Sequence, residues 1–557
     1  MKNSLILRVI ALALVSLMIF GAVGCDLASV FGEIDMGNGV IDGSEVATSK
    51  ATQKESEKAT ETETAEPTFE PTEEATKRAE ESALPAATET EEETTSNTPN
   101  NPFYGELDFE GEEIAIIFPD HEPLSREWRK EIAEDNIDEA IEMRTQVAME
   151  NLNIMPWYEI IPWGSYFDCA SLFSAMIQAD VLNDLHYYDV ASGYGYSTSF
   201  ANIRDYTTNL LDEVTFPYFD FTLPCWNQSL VENTTINGNL FYLVGDVNTS
   251  MFDAAYMVWC NTNLYQSHME GSDPDDIQDL VLSGEWTYEV LYSWATRLYE
   301  NNGGPDYNTY ALMAGTTSAA NNVSIAFQYA FDATFIVETG NTTHSFDISS
   351  NRRISDAFSK TADLYKQVGV APTANVNRFA EGRILFYIDE MRASREANDI
   401  IHSMEDSYAI LPMPKLNADQ MEYGTITNYY ATRMFVINHS QSSINIKGEA
   451  ISAYLQFLSE LSYTTVRPIY FDNVIVPKFG WRDEDRITKS KAIFNVIVSN
   501  VNYDLTYIYS PQINDISWLW RDALRNELDL VSYFNQNKGT YESALKDLDS
   551  WFKTATN

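Results

Sequence analysis

The sequence predicts an α/β protein of at least two lobes, and three observations lead there. From about Phe103 the composition becomes globular and rich in Tyr, Trp and Phe. The stretch from there to Asn557, about 455 residues, is too long for one core, because single hydrophobic cores stop growing beyond about 250–300 residues. Its opening portion alternates strand-like and helix-like runs, the pattern of a parallel sheet covered by helices.

The elements follow in order. Glu112 to Phe118 (EEIAIIF) is a short buried strand that ends in the loop Pro119-Asp120-His121-Glu122. A helix over Asn136–Asn151 carries Ile137, Ala140, Ile141 and Val147 at helical spacing. Ile154 to Ile161 is a second strand and Tyr166 to Ala179 a second helix. His186 to Val190 (HYYDV) is a third strand, entering a loop from Ala191 to Ser199. In such sheets ligands sit beyond the carboxyl ends of the strands.

Leu240–Val244 and Tyr256–Trp259 read as strands that bracket a change of lobe. Thr287 is a suitable N-cap for a helix running to about Tyr299. Arg383–Tyr387 and Ser407–Pro412 are further strands. The last third is mostly helical, over Glu449–Leu461, Lys489–Val498, Ile516–Leu528 and Tyr541–Phe552.

Ahead of the globular part lie an export signal and a tether. Lys2 and Arg8 precede an apolar run from Val9 to Phe20, followed by Gly21-Ala22-Val23-Gly24-Cys25. A mainly apolar run of 12 residues falls short of the roughly 20 that span a bilayer, so the run is a signal-peptide core. The AVGC segment resembles the lipobox of bacterial lipoproteins. It implies cleavage after residue 24 and lipid on Cys25, with the two or more acyl chains that stable anchoring takes. Residues 25–102 are expected to form a disordered tether. Between Glu45 and Asn101 the chain holds 15 Glu against 5 Lys or Arg and lacks Trp and Tyr, too little apolar surface to offset chain entropy. As a coil, about 75 residues would span about 50 Å.

A formal charge of −48 argues against a nucleic-acid partner, since a phosphate backbone demands a basic surface. After Cys25 only Cys169, Cys225 and Cys260 remain, without metal-ligand spacing. Buried free thiols are the default reading, with a Cys225–Cys260 bridge as the alternative. The six histidines are scattered, and no GxSxG elbow, Walker loop, HExxH or dinucleotide fingerprint occurs. No cofactor, metal or catalytic residue is expected.

Several segments carry a family likeness. They are Asp138–Ile154 (DEAIEMRTQVAMENLNI), Phe221–Asp246 (FTLPCWNQSLVENTTINGNLFYLVGD), Asp279–Leu291 (DLVLSGEWTYEVL), Phe379–Met391 (FAEGRILFYIDEM), Ser407–Tyr423 (SYAILPMPKLNADQMEY) and Arg467–Tyr509. In this order they resemble extracellular solute-binding proteins of ABC importers, the large family that includes carbohydrate and oligosaccharide receptors. Cys225 stands where that family usually has Trp, and Asn239 where Lys is common, so the ligand does not carry over. The resemblance implies the type II periplasmic-binding-protein fold, two α/β lobes with the ligand cleft between them. Lobe 1 is placed at 103–250 with a return over 415–460. Lobe 2 is placed at 251–414 with the C-terminal helices 461–557. Val244–Ser250 and Pro412–Lys415 are the expected hinge strands.

Sugars are held by aromatic faces and planar polar side chains. By position in the family, Tyr194 and Tyr196 in the loop ASGYGYSTS are candidate ligand contacts, with Gly193 and Gly195 letting that loop turn. Asp120 and Glu122 can accept hydroxyl hydrogen bonds, or they are ordinary loop acids. Trp226, Asn428, Tyr429 and Tyr430 lie on crossing or returning segments. Trp518 and Trp520, two apart, cannot share one helix face, so one is expected in the core and the other at the cleft. Trp286 is read as structural, pinning its helix to the sheet.

The expectation is therefore a monomeric, lipid-anchored receptor that takes a carbohydrate or other small solute and passes it to ABC permease subunits. Two alternatives stay open on sequence alone: a surface carbohydrate-active enzyme, and a glycan-binding or adhesion receptor without transport.

Overall fold

The computed structural model describes residues 103–554, except 122–125, 129–134, 163, 203, 270–272, 274–275, 315–321, 341, 374, 397–400, 403, 429–430, 438–440 and 477–483. The chain divides into the units Met1–Glu92 and Glu93–Asn557, and all of these residues belong to the second. The signal segment, Cys25 and the tether lie outside the described residues, as do Glu122, Tyr429 and Tyr430. No helix among the described residues is long and apolar enough to cross a membrane.

Two sheets organise the unit. The first has four strands in the order β11-β3-β1-β2. These are β1 (Glu112–Pro119), β2 (Ile154–Ile161), β3 (Val190–Tyr194) and β11 (Thr432–Val436). β1 runs parallel to β2 and β3, while β11 is antiparallel to β3. The second sheet has five strands in the order β10-β4-β9-β6-β5. These are β4 (Tyr256–Asn261), β5 (Tyr299–Glu300), β6 (Thr309–Ala314), β9 (Ile384–Glu390) and β10 (Tyr408–Leu411). A separate hairpin pairs β7 (Ile336–Gly340) with β8 (Thr343–Phe346).

Period-two alternation decides how the first sheet is buried. Ile114, Ile116 and Phe118 of β1 face one core, with Tyr454, Leu455 and Leu458 of the helix Gln441–Leu461. Ile117 faces the other, with Phe173 and Ala191. That second core runs on without a break into the apolar interior around β4, β6 and β9. Strands buried on both faces read as continuous apolar runs, and all six residues of β4 and of β6 are buried.

The structure shifts several expected elements. The third strand is Val190–Tyr194, not His186–Val190, and the expected loop after it is half strand and half helix, since Gly195–Asn202 is helical. β3 sits between β1 and β11, and this central pairing overrides the turn-rich look of ASGYG. Leu240–Val244 is not a strand but meets β11 at one bridge, Leu243 to Met434. Thr287 takes the extended N-cap conformation for Tyr288–Arg297 without a side-chain bond to the helix. Trp286 is fully buried, donates from Nε1 to the Pro412 carbonyl at 2.9 Å and packs on Phe386. Cys169, Cys225 and Cys260 are free and buried, and Cys225 and Cys260 belong to different cores.

Between the sheets the chain crosses in paired segments. Tyr256 N–H donates to the Ile426 carbonyl at 3.1 Å and Asn428 N–H to the Ala254 carbonyl at 2.7 Å. The returning crossing thus lies near Thr425–Asn428, later than the expected Pro412–Lys415. Those residues instead stay with the second sheet, where Lys415 exchanges backbone bonds with Trp286 and Tyr288. The crossings leave little room: a Cβ on Gly245 would stand 2.4 Å from the Cys225 carbonyl oxygen and 2.7 Å from the Trp226 ring. Gly245→Ala is expected to cost about 1–3 kcal/mol by overpacking, read as a lower urea midpoint with an unchanged slope.

Candidate functional site

β6, β9 and β10 all end on the edge of the second sheet where β4 begins, so the first crossing enters at that edge. β1 and β3 run the same way, and Thr432, where β11 begins, stands opposite Tyr194 at the carboxyl end of β3. Both sheets therefore turn their carboxyl edges toward the crossings, the place where open α/β sheets take ligands.

On the first sheet's side, Asp120 follows β1 and is exposed. His121 Nδ1 is 3.0 Å from the Tyr194 hydroxyl, and the two rings meet edge to face. Tyr194 is itself buried, so it presents its hydroxyl to His121 and no open ring face. Tyr196 falls in the helix Gly195–Asn202, with its side chain outside the described residues. Gly193 and Gly195 matter for space rather than for turning. A Cβ on Gly193 would stand 2.8 Å from Phe173 and from Ser197 Oγ, and one on Gly195 would stand 2.0 Å from Arg433 Nη2.

Arg433 itself is unusual. It is buried, its guanidinium lies over the rings of Tyr242 and Tyr507, and Nη1 donates to the Ile508 carbonyl at 2.7 Å. Nε has no partner. Aromatic faces take the place of a carboxylate, an arrangement that cation–π attraction supports once water is excluded. Burial pushes both the Tyr242 and Tyr507 hydroxyls up to about 12, although Arg433 pulls each of them down.

A buried carboxylate joins the crossings to the first lobe. Glu127 is fully buried. Its Oε2 accepts from Ser250 Oγ at 2.7 Å, and Oε1 from Asn248 Nδ2 at 3.2 Å, Ser192 Oγ at 3.1 Å and Thr432 Oγ1. Burial raises its carboxyl above the usual range, and these hydrogen bonds draw it back.

The second sheet contributes acids. Asp389 and Glu390 close β9. Tyr387 donates its hydroxyl to Asp389, which remains half-buried and is raised chiefly by burial. Glu390 accepts from Asn428 Nδ2 and pairs with Arg392 Nε at 2.5 Å. Burial pushes its carboxyl up to about 7, with Arg392 lowering it and Asp389 raising it. Asn428 is thereby a buried link between the returning crossing and the second sheet, and its backbone carbonyl accepts from the Tyr507 hydroxyl at 2.9 Å.

The tryptophans part as their spacing requires. Trp520 is fully buried against Phe358 and is a core residue of the second lobe. Trp518 is half-buried, with the Arg521 guanidinium 4.1 Å above its ring. Trp226 is buried in the first core, where Nε1 donates to Gln456 Oε1 at 2.8 Å and the ring meets Phe219 and Phe221. It offers no face to a cleft in this conformation.

Glu127, Arg433 and the Asp389–Glu390 pair escaped sequence reasoning. Two had a readable signal, since acids closing an apolar strand (ILFYIDE) and a lone cation inside one (TRMFV) both ask for an explanation. Glu127, in REWRKEI, looks like an ordinary solvated charge.

No protein-family model matches this sequence, and no curated protein does either. Solved structures do match. The sugar-binding protein MalE from the phytopathogen Xanthomonas citri aligns over 80% of this chain and 100% of its own, with a TM-score of 0.51 at 12% identity. The fold is that of a two-lobed, type II solute-binding protein. An uncharacterized protein from Listeria monocytogenes EGD-e aligns over 78% of this chain and 100% of its own, with a TM-score of 0.50 at 11% identity. In this binding-protein fold, the Glu127 cluster lies where the crossings meet the first lobe, and the Asp389–Glu390 pair where they meet the second.

The Glu390 assignment has a testable sign. An acid whose folded pKa is raised stabilises the fold fully below its unfolded value and loses that contribution as pH rises through the folded one. Between about pH 4.5 and 7 Glu390 should therefore remove up to about 3 kcal/mol of stability. Urea unfolding across this range is expected to show a shallower decline with pH for Glu390→Gln than for the unaltered chain.

Proposed function

We propose that this chain is a lipid-anchored solute-binding receptor of an ABC importer, capturing a carbohydrate, most simply an oligosaccharide, between its two lobes. The observation that carries the reading is the fold. Two sheets turn their carboxyl edges toward paired crossings, and the whole of a sugar-binding protein aligns on that arrangement. The lipobox-like AVGC before the domain and the acidic tether behind it support an anchor on Cys25 at the outer face of the membrane. Diacyl anchoring would confine the receptor near its permease and raise its effective concentration there.

The mechanism is capture rather than chemistry. A ligand favours the closed state only by the extra affinity it finds there. Asp120, beyond β1, and Asp389, at the end of β9, are the acceptors proposed for ligand hydroxyls, one from each lobe. Trp518 is the proposed apolar platform, held flat by the Arg521 guanidinium on one face. Asn428, and Glu122, Tyr196, Tyr429 and Tyr430 from the sequence reading, complete the proposed lining, and Tyr194 acts through His121.

Thermal-shift screening against malto-, xylo- and cello-oligosaccharides, monosaccharides and polyols, followed by calorimetry, tests this reading. A stabilising sugar is expected, and a panel without a single shift would overturn the carbohydrate assignment. Asp120→Ala removes one exposed acceptor, so it should weaken sugar binding about 3- to 10-fold, as loss of one hydrogen bond does, and leave the ligand-free melting temperature unchanged.

A further inference from the structure

One buried cation is left without an anion. Arg433 is 2% exposed, and among the described residues its guanidinium makes a single hydrogen bond, from Nη1 to the Ile508 carbonyl at 2.7 Å. Nε has no partner. Side-chain alternation explains the isolation. Thr432 and Ser192 turn to the face of the first sheet that holds Glu127, and both bond it. Arg433, the next residue of β11, turns to the opposite face, where Tyr242 lies. The buried acid is thus on the wrong side of the sheet to neutralise it. The rings of Tyr242 and Tyr507 stand 5.5 and 5.7 Å from the guanidinium carbon, near the outer limit of about 6 Å for such contacts. They attract the cation but bring no charge to offset it, and a buried charge is costly unless it is paired.

The side chain is aimed at a helix N-terminus. Arg433 stands opposite Gly193 in the ladder, yet its tip lies against Gly195, nearer the carboxyl edge. A Cβ on Gly195 would be 2.0 Å from Nη2 and 3.5 Å from Nε. Gly195 opens the helix Gly195–Asn202. The first N–H groups of a helix have no intrahelical partner and gather partial positive charge. Tyr194, the residue ahead, is not a capping type, and its hydroxyl meets His121 at 3.0 Å. Ser197 and Thr198 in the first turn give their hydroxyl protons to the Tyr194 carbonyl at 2.8 and 3.1 Å. Guanidinium and helix end therefore meet at Gly195 as two positive groups. They repel each other, and an anion between them supplies what each lacks.

The donors left over define that anion. With Nη1 taken by Ile508, Nε–H and Nη2–H remain, and these lie along one edge of the planar guanidinium, spaced for two oxygens of one oxyanion. We propose that this site takes an oxyanion carried on the ligand, most simply the carboxylate of a uronic acid residue, held by Arg433 and the N-terminus of Gly195–Asn202. The place suits a ligand group. β3 and β11 meet at the carboxyl edge of the first sheet, and Tyr507, which lies beside the guanidinium, gives its hydroxyl to the Asn428 carbonyl of the returning crossing at 2.9 Å. The proposal rests on the receptor reading for the sugar that carries the anion, but not for the anion site itself.

Calorimetry on the full folded chain tests it with trisaccharides of galacturonate, mannuronate and glucuronate, each set against its carboxyl-reduced, neutral form. At least one acidic member is expected to bind about 10- to 100-fold more tightly than its reduced form, the worth of charge-assisted hydrogen bonds. Sulfated and phosphorylated galactose, set against galacturonate and plain galactose, show which oxyanion the fork prefers. Arg433→Lys keeps the charge but loses the fork, so the acidic preference should fall about 10-fold. Should that variant not fold, the paired trisaccharides on the unaltered chain decide alone. If neutral sugars bind and no acidic member outbinds its neutral form, the anion site is overturned while the receptor reading stands. If no sugar binds, inorganic phosphate at matched ionic strength decides. Phosphate that raises the melting temperature of the unaltered chain more than that of Arg433→Gln keeps the site and counts against the receptor reading, whereas equal shifts overturn both.

Discussion

Two stretches of backbone, 253–256 and 425–428, lie side by side between the sheets, and the rest of the molecule is arranged around keeping them there. Buried backbone polar groups must be paired. These pair with each other through Tyr256 to Ile426 and Asn428 to Ala254. Their flanks are held by Glu127, whose carboxylate takes hydrogen bonds from Asn248 and Ser250 on one crossing and Thr432 at the end of the other. A buried carboxylate is expensive unless its oxygens are filled, and here both are. Its partners come from β3 and from both crossings, so the crossings and the first lobe are secured together.

The same constraint shapes the candidate site. Both crossings enter at carboxyl edges, and the acids that close β9 and the loop that follows β1 each lie at such an edge. Asn428 then bonds Glu390 and receives Tyr507, joining the returning crossing to the second sheet and to the segment near residue 507. Polar groups buried at such a junction favour one relative placement of the lobes, and a ligand shifts that placement only through differential contacts. Asp120 is exposed and Asp389 and Trp518 are half-buried, whereas Trp226 and Trp520 spend their surface on packing.

Local pattern alone determined much about this protein. Apolar runs such as AIIF and ILFYI fold as buried strands because no other element hides both faces of so short a segment. The alternation of strands and helices set the α/β class, and the ordered family-like segments pointed to two lobes. Trp286 was legible as a helix pin, and the two-residue spacing of Trp518 and Trp520 already meant that they part. Tertiary structure decided the rest. Whether ASGYG turns or pairs depended on β1 and β11 flanking it, and the role of its glycines depended on Phe173, Ser197 and Arg433 arriving from elsewhere. Trp226 joined the core because Gln456 and two phenylalanines surround it. Glu127 looks like any surface acid until four residues from distant parts of the chain close around it. Sequence carries local periodicity, but burial and charge pairing are properties of contacts, and contacts between remote residues exist only once the chain has folded.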